Sequence, residues 1–359
     1  MLKEIEKVLK ETPGIKGREI ARKIGAQKKE VNSFLSKHKD EFVQDSNYCW
    51  SLVKPAEFKV EFEGNHWVDS DSFENSLLSA GSPLDSDCQS VIFIIPERCS
   101  ILLDAAARLL ALCNQLILSK EVTIDFSGCK KTLSYFDRIG FLDHLNKNVT
   151  VLPRRPKVSR ASKYKGKSKA VVEFGAVDPD QDNKELIVQL GDRFVQQSDN
   201  RYETAASTVF SELIGNVKEH SESPIPGFAA LQKYGGRREH IQTVVSDSGL
   251  GIANTLRPSL EEHYPDLYKL HSEASIESDV GLVITALSKG ELSRFGVGRG
   301  LGFKSSRAQA IKFDAQLSVR QEHFCLYFVY KDGELVKVRK KVALPTIKGT
   351  HLCFDFYVD

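Results

Sequence analysis

The sequence predicts a multi-domain α/β protein, on three observations. The chain has 359 residues and is 41% hydrophobic, enough for more than one core when domains run to roughly 100–200 residues. Its net charge of +2 hides an uneven distribution: residues 1–54 carry twelve Lys/Arg against eight Asp/Glu, residues 55–100 carry two against nine, and residues 153–169 carry eight basic residues and no acid. Helical and strand periods alternate through most of the remainder. These shifts divide the chain into a helical block (1–54), an acidic linker (55–87), a small α/β domain (88–152), a basic linker (153–169) and an α/β domain from 170 to 359.

What composition excludes comes next. The longest apolar stretch, Ile101 to Leu118, is interrupted by Asp104, Arg108 and Asn114, so it reads as a buried helix rather than a membrane span. The charged N-terminus lacks the apolar core of a signal peptide, which predicts a cytoplasmic protein with no membrane partner. Seven cysteines without a C-x-x-C pair indicate neither a disulfide framework nor a zinc site.

In the first block, Leu2, Ile5 and Leu9 mark one helix, and "REIARKIG", closing on Gly25, marks a second. A third, "QKKEVNSFLSKHK", puts Val31 and Leu35 inward and Lys28, Lys29, Asn32, Ser36 and Lys37 outward, ahead of strands around "EFVQD" and "YCWSL". Three helices and a hairpin make a winged helix-turn-helix. The run "REIA…KKEVN…L" with Trp50 resembles winged helices of the Z-alpha kind, and the resemblance implies phosphate contacts from Lys28 and Asn32. Ser36 stands where that family carries a tyrosine, and Tyr48 and Cys49 where it carries prolines. A helix offering cations and amides suits double-stranded nucleic acid, with Lys28, Lys29, Asn32 and Lys37 as contacts; docking of a protein is the competing use of such a surface.

The second block orders a strand ("SVIFIIP"), the helix Ile101 to Leu118, a strand ("EVTIDFSG"), a helix ("LSYFDRIGFLDHL") and a strand ("NVTVLP"). The order and "TIDFSG" resemble STAS-type regulatory domains, which implies a protein partner for this block. No chemistry is assigned to it.

Four patterns occupy the third block. "FSELIGNVKEH" places Phe210, Leu213, Ile214 and Val217 on one helical face and Glu212, Asn216 and His220 on another. "IQTVVSDSGLG" ends a strand on Asp247, with Gly249 and Gly251 beyond. "GVGRGLGF" supplies Gly298, Gly300 and Gly302, and "KGTHLCFDF" leads Thr350 into a last strand. Singly, each pattern is ordinary. In this order they resemble the GHKL (histidine kinase-like, Bergerat) ATPase superfamily.

That resemblance implies an ATP site needing magnesium. Glu212 would activate water, Asn216 would coordinate the metal, and His220 would lie within the same box, as in anti-sigma-factor serine kinases of the superfamily. Asp247 would bind the adenine amino group while Gly249 and Gly251 admit the base. Gly298, Gly300 and Gly302 would wrap the phosphates, Thr350 would support the adenine end, and the segment from Ala253 to Phe295 occupies the place of the family's lid. The functional expectation is a Mg-ATP-dependent ATPase coupled to a nucleic-acid-binding winged helix in a regulatory or defence protein. Its alternatives are a protein serine kinase of the anti-sigma-factor type and a non-hydrolysing ATP-gated switch. Oligomeric state stays open.

Overall fold

Near the N-terminus, apolar stripes at helical spacing become α1 (Leu2–Glu11), α2 (Gly17–Ile24) and α3 (Lys28–Lys37). The computed structural model describes residues 1–53, 57–220, 222–235, 238–289 and 314–357. It is mixed α/β and divides into two units, Met1–Glu57 with Asp87–Gln89, and Phe58–Ser86 with Ser90–Asp359. In the first unit the helices bury Ile5, Leu9, Ile20, Val31 and Leu35 around Phe42 and Trp50. α2 stops at Gly25 in the left-handed conformation, the ordinary glycine ending of a helix. Strand β1 (Ile15–Lys16), which the sequence does not signal, joins β2 (Phe42–Gln44) and β3 (Cys49–Leu52) in a three-stranded sheet, with β3 in the middle.

The second unit begins with β4 (Glu57–Glu61), β5 (Trp67–Val68) and α4 (Ser70–Ala80). It continues through β6 (Ser90–Ile94), β7 (Ser100–Ile101), α5 (Leu103–Leu116) and β8 (Glu121–Asp125). α6 (Lys130–Arg138), α7 (Phe141–His144), β9 (Thr150–Leu152) and α8 (Arg160–Tyr164) follow. β4, β6, β8 and β9 form one sheet in that order, with β6, β8 and β9 parallel. The stretch read as an acidic linker therefore supplies two strands and a helix. Its carboxylates lie between apolar residues that find a core, since Val60, Phe62, Phe73 and Leu77 are all buried.

The stretch read as a basic linker is likewise folded in part. The Arg155 guanidinium donates to the carbonyls of Leu145, Asn146 and Val149 at 3.0, 2.8 and 3.0 Å, bonding three carbonyls of one turn with a single side chain. The single helix expected over "LSYFDRIGFLDHL" divides into α6 and α7 at Gly140.

The remaining elements are β10 (Val171–Val177), α9 (Lys184–Gln197), α10 (Glu203–His220), β11 (Gly227–Tyr234) and β12 (His240–Ser246). α11 (Ile252–Leu256), α12 (Leu260–His263), α13 (Pro265–His271) and α14 (Ile276–Lys289) come next. β13 (Ala315–Gln321), β14 (Phe324–Lys331), β15 (Glu334–Val342) and β16 (His351–Tyr357) close the chain. Seven strands make one antiparallel sheet, in the order β10-β11-β12-β16-β13-β14-β15.

Strand alternation gives this sheet two buried faces. Ile241, Val245, Leu352, Phe354 and Phe356 share a core with Phe194, Phe210, Leu213, Ile214, Leu282 and Val283 of α9, α10 and α14. Gln242, Val244, Ser246, His351 and Cys353 point the other way, where α5 packs on β12 and β16. All 14 residues of α5 are buried, because its opposite side meets α4, α7 and β8. The second and third blocks of the sequence are thus joined through one helix.

The seam between them is polar. Glu74 of α4 binds Arg108 of α5 at 2.8 Å and Arg320 of β13 at 2.9 Å, and all three side chains are at most 2% exposed. Asp104 donates its backbone N–H to Gln242 at 3.1 Å, and Gln242 passes a hydrogen bond to Asp355 at 2.8 Å. Burial pushes the carboxyls of Asp104 and Asp355 up, the latter to about 6. Among the described residues, no helix is long and apolar enough to cross a membrane.

Candidate functional site

The run "IQTVVS" forms β12 because every second residue meets the helical layer, and the strand ends where the acid begins. Asp247 lies just beyond β12, and Thr350 just before β16. Since Ser246 pairs with His351, the two residues face each other past the end of the ladder, with the Asp247 N–H donating to the Thr350 carbonyl at 2.9 Å. The Asp247 carboxyl accepts from the Gly249 N–H at 2.7 Å and from Thr350. It is 7% exposed, and burial pushes its pKa up to about 6. Among the described residues, no cation pairs with it.

This approach of two loops depends on glycine. Gly349 has φ +96°, and a Cβ on it would stand 2.1 Å from the Asp247 carbonyl oxygen. Any side chain there would separate the two halves of the wall. Gly251 opens α11, and the following N–H of Ile252 donates to the buried Gln321 side chain at 2.7 Å. Gln321 thereby fixes the turn from β13, and nothing in its local sequence signals this.

α10 brings the second part of the site. Its inner face is the predicted one, with Phe210, Leu213, Ile214 and Val217 buried, while Glu212 and Asn216 are half-buried beside it. A Cβ on Gly227 would lie 2.4 Å from Val217 Cγ1 and 3.1 Å from the Ser246 carbonyl oxygen. The final turns of α10 therefore cover the end of β12 from which Asp247 emerges. The Asn216 amide nitrogen is buried without a hydrogen-bond partner among the described residues. An unsatisfied buried amide costs about 1–3 kcal/mol, so the group calls for a partner such as a water, an ion or a ligand.

Asp247, Gly249, Gly251 and Thr350 are thus together at one sheet end, with Asn216 on the helix above it and Glu212 one turn earlier. His220 is the last residue of α10; its side chain lies outside the described residues, as do Gly298, Gly300 and Gly302. Of the predicted lid segment, residues 253–289 form α11 to α14, and α14 buries Leu282 and Val283 in the core. In the other unit, Lys28, Lys29 and Lys37 are exposed on α3. Lys29 and Lys37 border an open hollow of about 410 Å³ with Ser33 and Phe34. Asn32 is half-buried, and its amide oxygen stands 1.9 Å from where a Cβ on Gly17 would be. That places it against the start of α2.

No protein-family model and no curated protein matches the chain.

Chemically, the wall offers a buried acceptor beside backbone that bears no side chain, which suits a planar ligand with an exocyclic amino group. Asn216 offers an amide whose oxygen or nitrogen can turn toward the ligand by rotation about its last torsion. Among the described residues, no group of three or more His, Cys, Asp and Glu side chains could hold a metal ion. A magnesium ion here would take the Asn216 oxygen and draw its other ligands from phosphate and water, a donor set that the ion accepts readily.

Proposed function

We propose that the chain is a Mg-ATP-dependent ATPase of the GHKL kind whose N-terminal unit is a winged helix that binds nucleic acid. The observation that carries the reading is the buried Asp247 carboxyl, which has no cationic partner among the described residues, since buried acids in that condition concentrate at functional sites. Asp247 accepts from the adenine amino group, with Thr350 and the Gly249 N–H holding the carboxyl in position. Asn216 holds the metal, and Glu212 orients or deprotonates the attacking water. Magnesium, when bound, neutralises phosphate charge. Glycines 298, 300 and 302 supply backbone N–H groups to the phosphates.

The test is ATP binding and turnover by the full chain with magnesium. Glu212→Ala is expected to lower turnover by about 10²–10⁴-fold, as the loss of a general base does, while leaving ATP affinity within a few fold. Tight binding with no turnover in the wild type would make the site a switch or a kinase lacking its protein substrate, and no ATP binding at all would defeat the reading.

For the first unit, the three exposed lysines of α3 support contact with a phosphate backbone. Replacing Lys28, Lys29 and Lys37 together by alanine is expected to weaken duplex binding and to reduce the slope of log affinity against log salt by roughly 0.9 for each phosphate that is no longer neutralised. An unchanged slope, measured by fluorescence anisotropy across a salt series, would assign the surface to a protein partner.

A further inference from the structure

α5 ends at the nucleotide wall although it belongs to a different block of the sequence. Gln115, in its last turn, is 6% exposed. Its side-chain nitrogen donates to the Ser248 hydroxyl and to the Lys348 carbonyl, both at 2.9 Å, and its oxygen accepts from the Lys348 N–H at 3.0 Å. Ser248 follows Asp247, and Lys348 precedes the Gly349–Thr350 pair. One carboxamide therefore holds both loops of the wall. A second clamp acts on the same loop, because His351 bonds the Lys348 carbonyl at 3.1 Å while meeting the Ser246 hydroxyl at 2.6 Å.

The neighbouring residue faces away from the wall. Asn114 donates to the His144 carbonyl at 3.1 Å and accepts from the Asn146 N–H at 2.9 Å, which ties α5 to the turn after α7. At the other end of the helix, the Asp104–Gln242–Asp355 chain fastens α5 to β12 and β16. α5 is thus pinned at both ends to the two strands that lead into the wall.

We propose that Gln115 is a positioning residue for the adenine-binding wall, so that the last turn of α5 sets nucleotide affinity at the base end of the site. The proposal rests on the reading of Asp247 as the adenine-binding acid. Losing the carboxamide leaves the Lys348 loop to the His351 clamp and unties it from Ser248, which loosens the base end of the site and leaves the phosphate end as it was.

The experiment compares the full-length wild type with Gln115→Met, which keeps the bulk and removes the polar atoms, and with Asn114→Ala, which cuts α5 loose from the opposite side. Gln115→Met is expected to weaken ATP, ADP and adenosine by a common factor of about ten, within the usual range of site-to-site coupling, with inorganic tripolyphosphate affinity unchanged. Asn114→Ala is expected to leave all four within about twofold despite a comparable loss of thermal stability. Equal effects of the two variants on adenosine, or none from Gln115→Met, would overturn the proposal while the ATP site stands. Should the wild type bind no adenine nucleotide, the reading of Asp247 fails instead. Amide hydrogen exchange of residues 247–252 and 346–351 then still decides whether Gln115 orders these loops, faster exchange in Gln115→Met being the expected result and unchanged exchange the overturning one.

Discussion

Replacing Glu74 by alanine is expected to destabilise the second unit by about 3–5 kcal/mol, the usual cost of breaking a buried ion pair by removing one partner. Glu74 bonds Arg108 at 2.8 Å through Oε1 and Arg320 at 2.9 and 3.1 Å through both oxygens. With the carboxylate gone, two guanidinium groups that are at most 2% exposed would face each other across a buried seam. Arg320 keeps the Pro345 carbonyl at 2.5 Å and Arg108 keeps the Cys325 sulfur at 3.8 Å, but neither acceptor carries a charge to replace the missing one. The comparison that isolates charge from shape is the simultaneous replacement of Glu74, Arg108 and Arg320 by Leu, Met and Leu. Since apolar substitution of a whole buried ionic group is often neutral or stabilising, the triple variant should unfold at a higher urea concentration than Glu74→Ala alone. A Glu74→Ala protein that melts like the wild type would show that water reaches the two arginines.

Asp247→Asn is expected to separate function from stability. As the acceptor for an adenine amino group, the carboxylate takes part in a charge-assisted hydrogen bond, and its loss should lower ATP affinity by about a hundredfold (~3 kcal/mol). Stability should move the other way. Burial raises the Asp247 carboxyl from 3.8 to about 6, so the folded chain holds a proton that the unfolded chain has already released between those values. That contribution is fully present below pH 3.8 and is lost as pH rises through 6. Above that value the buried charge opposes folding by about 3 kcal/mol, and the neutral amide escapes that cost, less the weakening of its bonds to Gly249 and Thr350. The variant should therefore gain stability relative to the wild type on going from about pH 4 to about pH 8, as denaturant midpoints at the two values would show. Wild-type ATP affinity should fall as pH drops through about 6. An Asp247→Asn protein that binds ATP normally would remove Asp247 from the site, and one whose stability relative to the wild type is the same at both pH values would show that burial does not raise its carboxyl.

Parts of this were legible in the sequence because they are set by neighbours in the chain. The spacing of Phe210, Leu213, Ile214 and Val217 describes the buried face of α10, and the apolar run before Asp247 describes β12. Ile101 to Leu118 reads as a buried amphipathic helix; the helix spans Leu103–Leu116 and is buried on every side, its polar residues included. The acidic stretch misled because charge density outweighed a sparse apolar pattern: Phe73 and Leu77 are one helical turn apart and both fully buried. The "basic linker" misled for a related reason, since Arg155 is spent on carbonyls of its own block.

Local order along the chain settles the strongly periodic segments such as α10 and β12, which face of α10 is apolar, and where the acid, the amide and the glycines fall. What those faces cover, and which polar groups meet, is settled only once the chain has folded. Glu74 finds Arg320 across 246 residues, and Gln115 finds Ser248 and Lys348 across 133 and 233. Periodicity is a property of a few successive residues and reports only that a face must be buried. The partner is chosen when two sheets close on α5 and every polar atom carried into the seam must find its hydrogen bond there.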